Sequence, residues 1–297
     1  MNVTIIGLGL IGGSIAKDLR RTKFATRLTG ADNNTEHAAE ALKLNLVDQV
    51  QELKEAVSAA DLVIVAIPVD KIQKLLPGIL DLIPDQATVA DMGSTKRLIT
   101  EAVEGHPKRR NYVAAHPMSG TEFSGPSAAT EGLFNQKIAI ICDHEKSGPQ
   151  HLALIEKMFQ TIGMDIAYMS SDEQDHSTAF ISHLPHAAAF ALANAVQVKE
   201  ERSIIFDLAS GGFRSTVRLA KSTPSMWGPI FQQNKTYIVE SMETYIRHLT
   251  EFKDSIQHDE AKMYALMEHA NNIKGILDGE NTSLIKNEKK IVKLYTK

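Results

Sequence analysis

The 297-residue chain has one cysteine, one tryptophan and few aromatic side chains, 6% in all. A lone thiol cannot close an intramolecular disulfide. Cys142 falls in an apolar, strand-like run, which predicts a buried core residue in a reducing compartment. No apolar run reaches the length of a membrane span, and the first strand is expected from residue 2, which leaves no room for a signal peptide. The expectation is a cytoplasmic protein with no membrane contact. The formal net charge is only −4, with both signs interspersed, so the chain carries no electrostatic footprint for nucleic acid. The sequence shows no internal repeats or low-complexity tracts, and neither a metal site nor an appended regulatory domain is expected. A chain of this length is expected to split into two domains, because single cores rarely grow past about 250–300 residues.

What is present begins at once. Gly7, Gly9 and Gly12, in Gly7-Leu8-Gly9-Leu10-Ile11-Gly12, directly follow the apolar run Val3-Thr4-Ile5-Ile6. The first glycine permits a tight strand-to-helix turn, the second lets backbone approach a pyrophosphate, and the third lets helix and strand pack closely. A helical stretch follows in Ser14–Leu19, so a diphosphate would rest on free N–H groups at a helix N-terminus. Asp32 closes the next strand, twenty-five residues beyond Gly7, where a carboxylate can accept both adenine-ribose hydroxyls. Asn33 follows it, not an arginine that could hold a 2′-phosphate, and the pair argues for NAD over NADP.

Short apolar runs alternate with helical stretches through the first half, the signature of a parallel sheet with helices on both faces. The expected strands are Val3–Ile6, Leu28–Ala31, Leu62–Ile67, Thr88–Asp91, Tyr112–Ala115 and Ile138–Cys142. Ligands bind beyond the carboxyl ends of such strands, which directs attention to Pro68, Ser94 and His116. After Met169 the character changes to long helical patterns. The division is therefore 1–168, a Rossmann-type nucleotide-binding domain, and 169–297, an all-helical domain. Ser170 to Glu173 form a capping box opening a stretch through Gln197 that is apolar on nearly every side, so it must either thread a helical domain or be covered by a second subunit. Asn234–Ile256 and Glu260–Leu277 read as further helices, with Gly275 and Gly279 near a stop; the lysine-rich tail beyond Asn281 reads as a solvated or frayed helix.

His116 stands at the carboxyl edge of the fifth strand, where the nicotinamide end of a dinucleotide would lie. An imidazole with an unperturbed pKa of about 6.5 suits acceptance of a hydroxyl proton as a hydride leaves the same carbon. Ser94 holds the same edge of strand four and can bond both the substrate hydroxyl and the histidine; an N-cap role for a helix starting near Thr95 is compatible with that. Ser182-His183-Leu184-Pro185-His186 puts a proline inside the long helix, with two histidines at the bend; His183 reads as a core histidine. Gly211-Gly212-Phe213-Arg214 and Arg218, four residues on, read as two arginines on one helix face, either a carboxylate fork or a surface pair. Trp227, between Pro224 and Pro229, reads as a packing anchor.

Five motifs together, the glycine loop, Asp91-x-Gly-Ser-x-Lys, Ala115-His-Pro-Met-Ser-Gly-Thr-Glu, Ser182-His-Leu-Pro-His, and Gly211-Gly-Phe-Arg-x-x-x-Arg followed by Pro224-Ser-Met-Trp, resemble the prephenate dehydrogenase family over about residues 2 to 280. The resemblance implies a Rossmann domain followed by a helical dimerisation domain, with the active site between them. It implies His116 as acceptor for the ring hydroxyl, Ser94 as its partner, His186 and Ser182 near the substrate, and Arg218, with Arg214, on a substrate carboxylate. The cofactor contacts would be Gly7, Leu8, Gly9, Leu10, Ile11, Gly12, Asp32, Pro68 and Ser94. The chain has Ser215 where members commonly carry an aspartate. The implied reaction is NAD-dependent oxidative decarboxylation of prephenate by a homodimer open to inhibition by tyrosine. Arogenate is the alternative substrate. A β-hydroxyacid dehydrogenase is a more remote reading, because the lysine such enzymes use after a glycine turn is replaced here by Arg214. A non-catalytic NAD-sensing dimer would need Asp32 and the glycines but not His116 with Ser94.

Overall fold

The computed structural model describes residues 1–198 and 208–277. The N-terminal half is built on an eight-stranded sheet in the order β3-β2-β1-β4-β5-β6-β7-β8. Its strands are β1 (Asn2–Ile6), β2 (Arg27–Ala31), β3 (Gln49–Val50), β4 (Leu62–Val65), β5 (Thr88–Asp91), β6 (Tyr112–Pro117), β7 (Ile138–Cys142) and β8 (Asp165–Met169). Between and after them run α1 (Leu10–Arg21), α2 (Thr35–Lys43), α3 (Leu53–Ser58), α4 (Val69–Leu82), α5 (Arg97–Glu101), α6 (Pro149–Thr161), α7 (Ser171–Thr178) and α8 (Leu184–Gln197). All six expected strands form, but β4 stops at Val65, because Ala66 and Ile67 lead into Pro68, the N-cap of α4.

The expectation of a parallel sheet needs one correction. β7 runs antiparallel to β6, with Ala114 opposite Cys142 and Pro117 opposite Ala139, while β8 again lies parallel to β7. A parallel return needs a long crossover, usually a helix. Residues 118–137 supply only a short 3-10 turn at Pro126–Ala128, so the chain comes straight back. Strands β3 and β8 were not expected: one is two residues long, and the other is a half-covered strand at the sheet edge.

Burial follows the pleat. Ile5, Ile64 and Val113 point to one face and pack with Ile15 and Leu19 of α1, whereas Ile6, Val63 and Val65 point to the other and pack with Ile72 and Leu76 of α4. Each such side chain contributes roughly 1.5–3 kcal/mol on burial. The strand order reverses between β1's two neighbours, β2 and β4, and opens a crevice at their carboxyl ends.

Beyond Met169 the described chain is helical. Ser170 and Glu173 form the expected capping box. The helix then runs from Ser171 to Gln197, with a π turn at Ala179–His183 just before Pro185 enters the first turn of α8. That turn absorbs the proline, which has no N–H to give and would otherwise clash one turn back. Contrary to expectation, this 27-residue helix is long and apolar enough to cross a membrane by length and composition. Its inner face, however, carries Gln174, Asp175 and His183, all hydrogen-bonded to other parts of the chain. Its outer face is not covered by the protomer, with Ile181 at 67% exposure, so threading through a helical domain is not how it is buried. The later helices are Pro224–Gln233, Lys235–His258, Glu260–Asn271 and Ile273–Leu277; the last two were expected as one, and they part at Asn272. Gly279 and the lysine-rich tail lie outside the described residues. Trp227 and Ile230 join the apolar cluster of Ile72 and Leu76, which docks the helical half on α4.

Candidate active site

The glycine loop is built as its spacing predicts. Gly7 has φ +90°, a conformation that side chains resist, and a Cβ there would lie 2.4 Å from the Ala66 carbonyl oxygen. A Cβ on Gly12 would come within 2.0 Å of the Gly7 carbonyl oxygen. At Gly9 the added carbon would meet nothing within 4 Å, so this glycine borders open space over the start of α1, whose N-cap receives no side-chain hydrogen bond. That cradle suits a diphosphate. Asp32 reaches back into it: one carboxylate oxygen accepts the Leu8 N–H at 2.8 Å and the other the Asn34 N–H at 2.9 Å. Leu8 itself is buried beneath Gly30, so only its backbone faces the loop, while Leu10 and Ile11 sit half-buried in the first turn of α1. Pro68 is exposed at the neighbouring strand end. The residues therefore fit a dinucleotide.

His116 and the Ser94 loop meet at the carboxyl edges of β6 and β5. They are joined through α7. The Gln174 side-chain amide donates to the Ser94 carbonyl oxygen at 3.0 Å and lies 3.3 Å from His116 Nδ1. His116 is buried, and that burial, followed by the Lys96 ammonium and His183, pushes its pKa down to about 3. The ordinary imidazole value expected for it is therefore corrected: burial keeps the ring neutral across the physiological range.

Beneath this pair lies a buried polar cluster. The Lys96 ammonium pairs with Asp91 and donates to the Ala115 carbonyl oxygen at 2.7 Å, directly before His116. Tyr112 donates to the other Asp91 oxygen at 2.6 Å. The helix expected near Thr95 begins at Arg97, and Ser94 does not cap it. Asp175, from the helical half, accepts the backbone N–H groups of Lys96 at 2.7 Å and Arg97 at 3.0 Å. Burial pushes the Asp175 carboxyl up to about 6 despite these two bonds.

The helical half supplies the other wall. The Ser182 carbonyl oxygen accepts from His186 Nδ1 at 2.9 Å, which turns Nε2 outward as an acceptor. The His186 ring stacks on Trp227 with centroids 3.5 Å apart. Burial, together with Arg218, lowers the His186 pKa. His183 is fully buried, as expected of a core histidine, with Nδ1 3.1 Å from the Asn234 amide.

The arginine pair departs from expectation. The α-helix after the glycine turn ends at Thr216, and Arg218 starts a separate 3-10 turn, so the two arginines do not share one helix face. Arg214 bonds back to the Ala209 carbonyl oxygen at 3.1 Å, whereas Arg218 reaches across to Glu122 of the N-terminal half at 2.9 Å. Lys96, Glu122, Gln174 and Asp175 had no role in the sequence reading. The buried polar face Ser171, Gln174, Asp175, Thr178, spaced three and four residues apart directly after the capping box, was the available signal.

A model of the prephenate dehydrogenase nucleotide-binding domain matches residues 15–168, and one of the prephenate dehydrogenase dimerization domain matches residues 170–271. The chain is 31% identical over 264 residues to prephenate dehydrogenase of Bacillus subtilis, covering 88% of this chain and 71% of that one. It is 29% identical over 271 residues to cyclohexadienyl dehydrogenase of Zymomonas mobilis, covering 90% and 92%. Among solved structures it resembles prephenate dehydrogenase from A. aeolicus in complex with hydroxyphenyl propionate and NAD+, at TM-score 0.86 and 30% identity over 93% of this chain and 98% of that one.

Proposed function

The chain belongs to the prephenate dehydrogenase family, and from that premise we propose that it catalyses the NAD-dependent oxidative decarboxylation of prephenate to 4-hydroxyphenylpyruvate, a step in tyrosine biosynthesis. The observation that carries the reading is the junction of a neutral, buried His116 with the Ser94 loop beside the dinucleotide cradle. Gly7, Gly9 and Gly12, the backbone of Leu8, Leu10 and Ile11, Asp32, Pro68 and Ser94 would hold NAD, which when bound supplies the acceptor for the hydride from C4 of the ring.

The protein's own part is positioning and proton handling. His116 accepts the C4 hydroxyl proton while Ser94 bonds the same oxygen. Loss of the ring carboxylate as carbon dioxide then leaves a phenolate, and the proton returns to it. Arg218 takes a substrate carboxylate. Its present partner is Glu122, so a half-exposed arginine is paired with a largely covered carboxylate, and a substrate carboxylate would take over a cation already facing an anion. His186, with Nε2 free and its ring fixed on Trp227, faces the substrate side chain, with Ser182 orienting it and Arg214 at the rim.

The division at 168/169 is supported by the end of β8 at Met169. A homodimer through the helical half would cover Ile181, Ile246, Leu249 and Ile256, all exposed in the protomer. A cytoplasmic location fits a single buried thiol. Tyrosine, which shares the product's ring and a carboxylate, would compete with prephenate at His186. Insensitivity to millimolar tyrosine would remove that part.

The test is NADH formation at 340 nm with prephenate and with arogenate, each with NAD and NADP. Prephenate with NAD is expected to give the highest kcat/KM. Preference for arogenate would move the chain to the sister activity, and no NADH from either would overturn the proposal.

A further inference from the structure

We propose that Gln174 and Asp175, adjacent residues of α7, are positioning residues that lock the Ser94 loop and the His116 ring into one arrangement from the helical half of the protein. The inference rests on the functional reading above, but its geometry belongs to the protein alone. Gln174 is fully buried and its Oε1 has no partner, so it gains nothing by burial except through its nitrogen. The amide orientation follows from the Ser94 carbonyl: an oxygen placed 3.0 Å from another carbonyl oxygen would repel it, so the nitrogen must face Ser94 and, with it, His116 Nδ1. Gln174 Nε2 also lies 3.2 Å from Thr178 Oγ1. With Gln174 donating to Nδ1, the neutral ring carries its own hydrogen on Nε2, so the hydroxyl proton must be taken at Nδ1, and Gln174 gives up that contact and turns its N–H to Thr178 as the proton arrives. The contact therefore orients the neutral ring and opposes the imidazolium without trapping it.

Asp175 acts on the other strand end. With both carboxylate oxygens engaged by consecutive backbone N–H groups, it fixes the path of residues 94–97, and its own carbonyl oxygen accepts from Asn234 at 2.7 Å. Asp91 and Lys96 then tie the same loop to Ala115, next to His116. The clamp thus grips the His116 ring and the backbone that carries Ser94 from one helix. A protonated Asp175 would place an O–H against one of the two N–H groups, so the grip loosens as pH falls through about 6. The charged and titratable groups around it are Lys96, just before α5, Arg97 at its start, Tyr237 on the helix Lys235–His258 and Cys142 on β7; those around His116 are Lys96 and His183. None but Asp175 is placed to titrate near pH 6 and touch the Ser94 loop.

Three variants test this. Gln174→Met, of similar length but without donors, is expected to lower kcat tenfold or more while leaving KM for NAD within about twofold, since a displacement near 1 Å of a reacting group costs up to about a hundredfold. Asp175→Asn is expected to lower kcat and to abolish an acid limb of kcat near pH 6 that the parent shows. Gln174→Glu puts an acceptor beside Nδ1, so the His116 imidazole resonance, identified by its absence in His116→Asn, is expected to titrate at least one pH unit higher than in the parent. A folded Gln174→Met with parental kcat, an acid limb that survives in Asp175→Asn, or an unchanged His116 titration in Gln174→Glu would each overturn the inference. If Asp175→Asn does not fold, the two Gln174 variants decide. The titration needs no turnover, so a parent inactive on both substrates would sink the functional reading and still leave the clamp tested.

Discussion

Substituting alanine at each glycine of the loop separates folding from cofactor binding. At Gly12 the new carbon would sit 2.0 Å from the Gly7 carbonyl oxygen, a backbone atom, and 3.0 Å from Ile5 Cγ2, so it has nowhere to retreat. Relief requires a shift of α1 against β1, a cost of about 3 kcal/mol. Gly7→Ala meets the Ala66 carbonyl oxygen at 2.4 Å and also pays for a positive φ, at about 1–2 kcal/mol more. Gly9 has φ −74° and open space around it, so Gly9→Ala leaves the fold intact. By the size scaling of thermal unfolding, a loss of about 3 kcal/mol lowers Tm by about 6–12 °C. Gly12→Ala and Gly7→Ala are therefore expected to melt at least that much earlier, and Gly9→Ala within about 1 °C of the parent. Cofactor binding is expected to reverse the order of interest: the methyl at Gly9 stands where a pyrophosphate must approach, so calorimetric titration should show NAD affinity reduced tenfold or more. Saturating NAD should accordingly raise the parent's Tm and leave that of Gly9→Ala almost unchanged. Parental NAD affinity in Gly9→Ala, or early melting of that variant, would refute the reasoning.

Replacing His116 with Asn is expected to lower kcat by about 10²–10⁴ with little change in NAD affinity, because the amide cannot take the hydroxyl proton. Its residual rate should keep the acid limb near pH 6 that belongs to Asp175, since His116 itself titrates near 3. Arg218→Ala is expected to raise KM for prephenate about tenfold or more with a smaller effect on kcat, and Arg214→Ala to raise it less than threefold; steady-state kinetics on the two variants would place the clamp on the other arginine if the order is reversed. Asp32→Ala is expected to narrow the NAD over NADP preference, measured as a ratio of kcat/KM, and to lower Tm slightly as well, because Leu8 and Asn34 lose the acceptor for their N–H groups.

The dinucleotide half was legible because its determinants are local. A glycine with φ +90°, a helix N-terminus and a strand-end carboxylate each leave a mark within a few residues. The antiparallel turn of β7 was not legible, because it depends on a helix failing to form between residues 118 and 137, and apolar runs such as Ile138–Cys142 read the same in either direction. The two arginines were misplaced for a related reason. An interval of four residues implies a shared face only while the helix continues, and here it ends at Thr216. Gln174 and Asp175 were missed because their partners lie about eighty and sixty residues away, a separation no local pattern can span.

The position of the site follows from this division of labour. A Rossmann half delivers a hydride acceptor, a serine and a histidine to neighbouring strand ends; His116 lies within β6, but Ser94 stands on a loop, and loops alone hold reacting atoms loosely. Here the rigid element that steadies them comes from the other half of the chain. The helix beginning at Ser171 grips both strand ends through Gln174 and Asp175, continues through the π turn, and presents His186 one turn after the buried His183. Its outer side remains apolar and open. One continuous helix thus touches His116 and the Ser94 loop from its inner face and carries His186 farther along; under the proposed function, burial of its open outer face against a second copy would couple that contact to His116 through Gln174. A dilution series is the corresponding measurement: if the helix is steadied by its partner, kcat falls as the dimer dissociates, and a kcat independent of association state would show that the grip of α7 is complete within one protomer.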